Sequence, residues 1–271
     1  MTPVLDVRLP RLPQRKPAID IAPFAPHVVL MFGRMRLGTL LGFPIELSTG
    51  FFLLLAMVFF WQGGAAGLLI LSMAMVGVLL HELGHAVVAR RLGVRIAGIE
   101  LNFFGGAAKM MELPKSANHE IAIALAGPAV SVALAGLGLG LYHLTAQPMA
   151  QWFGYINAAL AIFNLIPALP MDGGRVLRAL LTRKYDFVRA TEVAVKVSRL
   201  FAIVLIFVAI GTGSWRLAII APFLWFLGTA EVWQARAMAQ RFAYDGGGYR
   251  ARRPDEVEVL GRDGMRDDDD A

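Results

Sequence analysis

The sequence predicts an all-α polytopic membrane protein with about six transmembrane helices and a small membrane-associated β-hairpin between the second and third. Three observations predict it. Of the 271 residues, 57% are hydrophobic and only 17% are charged, where a soluble domain has about 25% charged. The apolar residues gather into six blocks of membrane-spanning length. The basic residues lie to one side of those blocks. A compact soluble fold of this size could not hide so much apolar surface, and a mean hydropathy of +0.59 makes lipid the natural solvent. The same figures argue against an ordinary soluble enzyme, a nucleic-acid-binding domain and a disordered chain. There is no cysteine, so disulfides and thiolate metal sites are excluded.

The first thirty residues carry Pro3, Pro10, Pro13, Pro17, Pro23 and Pro26, interleaved with Arg8, Arg11, Arg15 and Lys16. No apolar h-region or small-residue cleavage site follows, so this stretch does not read as a signal peptide. Residues 1–40 read as an irregular polar arm with a short interfacial helix at 28–35. The spans follow at about 45–61, 65–88, 121–144, 152–169, 193–211 and 217–232, each near the ~20 residues a bilayer core requires. The connectors after the first, third and fifth spans hold only Arg216 of the 26 Lys and Arg residues. This asymmetry places both termini in the cytoplasm and accounts for the net charge of +6 without a nucleic-acid partner. From about Phe242 the chain is polar, with Gly246–Gly248 and then Asp267–Asp270, a composition expected to be disordered. The chain thus divides into an N-terminal arm (1–40), an intramembrane core (41–235) and a cytoplasmic tail (236–271).

The connector after the second span, about 89–120, carries Val94, Ile96, Ile99, Leu101, Phe103 and Phe104, then Gly105-Gly106. Partial alternation around two glycines reads as a β-hairpin. It is too apolar for a free loop and is expected to pack against the helices at the membrane face.

Two spans carry ionisable groups, which are costly in lipid and usually functional. The second contains His81-Glu82-Leu83-Gly84-His85. Positions i and i+4 share a helix face, so His81 and His85 can ligate one Zn²⁺ per chain while Glu82 reaches a water beside it. The metal would bring that water's pKa to about 7, and Glu82 would take its proton. The longer HExxHxxGxxH pattern is absent, so a third ligand must come from elsewhere. Asp172 is the better candidate. It follows Asn164-Leu165-Ile166-Pro167-Ala168-Leu169-Pro170-Met171 and precedes Gly173-Gly174, a segment whose prolines break the helix and whose glycines let the chain turn. His119, at the inner end of the third span, stays open as an alternative. His81 lies roughly 10 Å from the inner end of its span at 1.5 Å per residue, and Asp172 falls near the same face.

Together these motifs resemble the site-2 protease family of intramembrane zinc metalloproteases. Asn164, Pro167, Pro170, Asp172 and Gly173 match its second motif. The Phe104-Gly105-Gly106 hairpin and Ala126-Gly127-Pro128 are also similar to it. The resemblance covers about residues 40–235. It implies hydrolysis of a peptide bond in or near a transmembrane segment of a membrane-spanning protein substrate. His81, His85 and Asp172 would bind zinc, and Glu82 would be the general base. Asn164 would orient the substrate strand or stabilise the oxyanion. Gly105 and Gly106 would present an edge to an unwound substrate. The PDZ and CBS domains of many relatives do not fit here, so the arm or tail would instead meet any regulatory membrane partner. A bacterial or archaeal plasma membrane is the expected location. The rival readings are a catalytically silent scaffold of the same fold and a zinc transporter. The intact Glu82 argues against the first. The lack of a proline-marked motif and of a His-rich loop argues against the second.

Overall fold

A computed structural model describes residues 33–61, 64–103, 105–112 and 114–244. Eleven elements follow one another among them: β1 (Arg34–Leu40), β2 (Phe43–Ser48), α1 (Thr49–Trp61), α2 (Gly64–Arg91), β3 (Ile96–Asn102), β4 (Gly105–Met110), α3 (Ala117–Thr145), α4 (Pro148–Asn164), α5 (Asp172–Leu181), α6 (Phe187–Thr212) and α7 (Trp215–Tyr244). Among the described residues, α2, α3 and α6 are long and apolar enough to cross a membrane. Helix α1 has only 13 residues, roughly 20 Å.

The outer surface is apolar and the interior is built from small residues. Phe60, Ile162, Phe207, Ile210 and Trp233 are exposed, while Ala86, Ala89, Ala124, Ala161, Ala179, Ala190 and Ala194 are buried. In water this would be inverted. In lipid, helices gain nothing by hiding leucine and associate through small residues that let backbones meet. A Cβ on Gly138 of α3 would come within 2.6 Å of the Gly154 nitrogen of α4, so these two helices touch backbone to backbone.

The helix ends follow local chemistry. Ser116 accepts the His119 N–H at the start of α3, and Asp186 accepts the Arg189 N–H at the start of α6, each filling an orphan donor. Pro148 begins α4, where its missing N–H costs nothing. Gly213 ends α6 at φ +65, a left-handed position open to glycine.

The expectation of an all-α chain with one hairpin is corrected by a four-stranded sheet in the order β1-β2-β3-β4. β1 and β2 are antiparallel, β2 and β3 parallel, β3 and β4 antiparallel. Residues 34–40, assigned above to an irregular arm and partly to an interfacial helix, form β1. Residues 28–32 of that expected helix lie outside the described residues. The expected first span loses residues 45–48 to β2, where buried Phe43, Ile45 and Leu47 alternate with half-buried Pro44, Glu46 and Ser48. That period of two is a strand signature, masked along the sequence because it runs directly into the apolar α1. Phe43, Ile45 and Ile99 pack onto Leu83 and Ala86 of α2. The sheet therefore buries one face against the helix that carries the HExxH motif. The other face holds a charge lattice in which Lys109 bridges Glu46 at 3.0 Å and also pairs with Glu100, while Arg36 reaches Glu46 at 3.4 Å.

Two further boundaries move. The expected fourth span, 152–169, stops as helix at Asn164, because Pro167 and Pro170 cannot continue it. The expected tail from 236 begins as helix, since α7 continues to Tyr244. Good helix formers continue the chain there, and Arg236 pairs with Glu192 of α6 at 2.6 Å.

Candidate metal centre

Helix α2 presents His81 and His85 on one face, as their i, i+4 spacing requires. Their Nε2 atoms are 3.1 Å apart. Asp172 Oδ2 lies 3.1 Å from the first and 3.2 Å from the second. All three side chains are buried, and their ligand atoms lie within 4.8 Å of one another. His119 is no part of this group, so the alternative third ligand is set aside. Its Nδ1 is buried elsewhere, near the start of α3.

The outer nitrogens decide what the inner ones can do. His85 Nδ1 sits 2.6 Å from the Ile123 carbonyl oxygen. A carbonyl only accepts, so Nδ1 carries the proton and Nε2 of the neutral ring is a lone pair aimed at the cluster. His81 Nδ1 is likewise held by Ser131 Oγ at 2.8 Å. Such bonds orient imidazoles for a metal. Two imidazole nitrogens and one carboxylate oxygen facing one another form the donor set of a catalytic zinc site, with a fourth position left open. The residues present therefore fit one zinc ion.

Asp172 reaches this point because the chain folds back on itself. It is the first residue of α5. A Cβ on Gly173 would lie 2.3 Å from the Leu165 oxygen, and one on Gly174 2.3 Å from the Leu169 nitrogen. Only glycines allow α5 to start against the 165–171 turn. Ser198 Oγ of α6 accepts the Leu169 N–H at 2.7 Å and anchors that turn. Arg175 lies 3.7 Å from Oδ1 of Asp172, so the two carboxylate oxygens face different ways.

Helix α3 closes the site from the other side. A Cβ on Gly127 would stand 2.2 Å from His85 Nε2 and 2.7 Å from His81 Nε2. A bare glycine here is what leaves the ligands room. The sequence offered this position only through its likeness to the family's Ala-Gly-Pro. Ser131 and the Ile123 carbonyl had no sequence signal at all. Neither had Arg178 of α5, which is buried and donates to Glu120 of α3 from Nε at 2.9 Å and Nη2 at 2.6 Å. It also reaches Glu231 of α7 at 3.4 Å. This tie seats the far end of the short helix that begins with Asp172.

The remaining candidates are placed as follows. Glu82 is half-buried, and its Oε2 accepts the Ala108 N–H of β4 at 2.9 Å. Gly105 opens β4 at φ +126 with nothing near its Cβ position, which is the demand of a turn. A Cβ on Gly106 would lie 2.7 Å from Glu82 Cγ, so this glycine lets the strand approach α2. Asn164 ends α4 and donates from Nδ2 to Leu160 O of its own helix at 3.0 Å, not to the His81–His85–Asp172 group. An open apolar cleft lies between α2 and α4, lined by Ala74, Val78, Ile156, Leu160 and Phe163.

A family model described as peptidase family M50 matches residues 68–147 and 141–205. The zinc metalloprotease MJ0392 of Methanocaldococcus jannaschii is 35% identical over 207 residues, covering 71% of this chain and 58% of that protein. The putative zinc metalloprotease Rip3 of Mycobacterium tuberculosis is 39% identical over 159 residues, covering 55% and 39% respectively. A solved structure described as a site-2 protease from Methanocaldococcus jannaschii aligns with a TM-score of 0.59 at 32% identity, over 74% of this chain and 95% of that one. The chain therefore spans about half the length of these curated relatives and nearly all of the solved structure.

Proposed function

The chain belongs to peptidase family M50, and we propose that it is an intramembrane zinc metalloprotease that hydrolyses a peptide bond within or near a transmembrane segment of a substrate protein. The observation that carries this reading is the convergence of His81, His85 and Asp172 from two distant elements on one buried point, with Glu82 one residue round the helix from His81.

In this reading His81 Nε2, His85 Nε2 and Asp172 Oδ2 would hold the zinc. When bound, zinc supplies a Lewis acid that polarises the scissile carbonyl and lowers the pKa of a water to about 7. Glu82 takes the proton of the attacking water on its carboxylate and passes it to the leaving amine. Ser131 and the Ile123 carbonyl keep both imidazoles aimed inward. A substrate helix shields its own peptide bonds, so it must unwind before cleavage. Gly105 and Gly106 begin β4, the end strand of the sheet, and an extended substrate segment can add to that edge. Asn164 contributes by orienting that segment or its oxyanion.

We retain six spans with both termini in the cytoplasm of a bacterial or archaeal cell, supported by the one-sided distribution of Lys and Arg. The intramembrane core then runs to about 235, with β1 joined to it. A regulatory membrane partner would meet the arm or the tail.

The test is zinc per chain in detergent together with cleavage of a membrane-spanning substrate. Wild type should hold about one zinc; His81→Ala and Asp172→Ala should lose it; Glu82→Gln should keep it and not cleave. Zinc retained without Asp172 removes the third ligand. A wild type that takes up no zinc favours a silent scaffold, and full cleavage by Glu82→Gln removes the general base.

A further inference from the structure

Among the described residues β4 is the end strand of the sheet, so one of its edges is unpaired within it. Opposed residues of an antiparallel pair alternate between exchanging both backbone bonds and turning both outward. Ala108 stands opposite Ile99, and its N–H is directed to Glu82 Oε2 at 2.9 Å. It is therefore an outward-facing position, and Gly106, two residues earlier, shares that orientation. The contact is built rather than incidental. A side chain at 106 would collide with Glu82 Cγ at 2.7 Å and Val78 Cγ1 at 2.8 Å. The Ala108 methyl packs into the cluster of Leu83, Ala86 and Ile99 that joins the sheet to α2.

We propose that the backbone amide of Ala108 is a positioning group for Glu82: it holds Oε2 so that Oε1 is the oxygen that receives the proton. The inference rests on the function proposed above and deepens it. A glutamate has three side-chain torsions, and left free its carboxylate samples many placements relative to the ligands. A charge-assisted bond from a backbone donor removes that freedom, and the donor itself is fixed by the β3–β4 ladder. Base and sheet edge thus become one unit. A carboxylate displaced by about 1 Å loses on the order of 100-fold in rate.

The full chain, purified in detergent and loaded with zinc, is assayed on a membrane-spanning substrate. Ala108→Pro removes the donor without breaking a β3–β4 ladder bond, since its N–H faces away from β3, and sets the ring Cδ where the N–H met Oε2. Ala108→Gly keeps the donor and serves as control. Gly106→Ala pushes the strand away from Glu82 by an independent route. Ala108→Pro and Gly106→Ala should each lower kcat by roughly 10–100-fold. Their zinc content should be unchanged, and kcat should fall by more than KM rises. Ala108→Gly, which keeps the N–H but loses the methyl packed against α2, should lose less kcat than Ala108→Pro. A second readout needs no activity: deuterium exchange across residues 105–110 should be faster in Glu82→Ala than in wild type. Ala108→Pro with wild-type kcat and bound zinc overturns the proposal, as does exchange that ignores Glu82→Ala. Should Ala108→Pro lose its zinc, Gly106→Ala and the exchange measurement decide. A wild type that cleaves no substrate overturns the proposed function, while exchange still tests the bond.

Discussion

A methyl group added at residue 127 should empty the metal centre. In Gly127→Ala the new carbon would stand 2.2 Å from His85 Nε2, 2.5 Å from His85 Cε1 and 2.7 Å from His81 Nε2. Ordinary contact distances begin near 3.5 Å, so the His85 ring must retreat by about 1.3 Å. Neither helix can give that much. Where α2 meets α3, a Cβ on Gly84 would already be 2.8 Å from the Ala126 oxygen, and His85 is tethered to Ile123 O at 2.6 Å. A metal–ligand distance tolerates about 0.2 Å. The loss should therefore exceed the 10–100-fold typical of a disturbed outer contact. About 1,000-fold in zinc affinity is expected, roughly 4 kcal/mol. Alanine is favoured over glycine inside a helix by about 1 kcal/mol, which offsets part of the about 1–3 kcal/mol that overpacking costs, so the fold should survive. Zinc Kd by chelator competition, with thermal unfolding as the control for fold, separates the two effects. A Gly127→Ala variant that binds one zinc with wild-type affinity would show that the imidazoles do not need the bare glycine.

Three further outcomes are expected. Ser131→Ala frees His81 Nδ1 from its 2.8 Å partner and should weaken zinc binding by about 10–100-fold without unfolding the protein; an unchanged Kd would remove Ser131 from the site. Arg178→Met strands the buried Glu120 carboxylate and should cost about 3–5 kcal/mol in detergent unfolding, whereas Arg178→Met with Glu120→Leu should recover most of it, since an apolar pair can replace a buried ion pair. Equal destabilisation by the single and double variants would contradict this. The hydrogen bond and charge of Lys109 hold the Glu46 carboxyl below its ordinary value of 4.5. A group depressed in the folded state stabilises fully above its unfolded pKa and stops doing so as pH falls through the folded one. Stability should therefore decline below about pH 4.5, with a shallower decline in Lys109→Met. Acid titrations that superimpose would exclude Glu46 as a contributor.

Much of this protein is legible along the chain because it is encoded locally. Hydropathy in blocks of about 20 residues marks the apolar helices. The i, i+4 spacing of His81 and His85 determines that they share a face. Pro167, Pro170 and Gly173-Gly174 announce a broken segment before Asp172, whatever that segment packs against. The sheet was half hidden for the opposite reason. β3 and β4 are neighbours in sequence with glycines between them. β1 and β2 lie directly before an apolar helix, where their period of two merges into its hydrophobic run, and the parallel pairing of β2 with β3 crosses two helices.

Which atoms meet at the metal centre depends on contacts between elements far apart in the chain. Ser131 and Ile123 are 50 and 38 residues from the histidines they orient. Arg178 and Glu120 are 58 apart. Gly127 is unremarkable as a helical glycine and indispensable only because α3 crosses the two imidazoles. Asn164 shows the converse: a motif position whose donor the structure turns back to its own helix. Residue type and spacing determine which chemistry a segment can perform. Which distant backbone comes within 3 Å of it depends on how the helices pack, and packing is a property of all of them together.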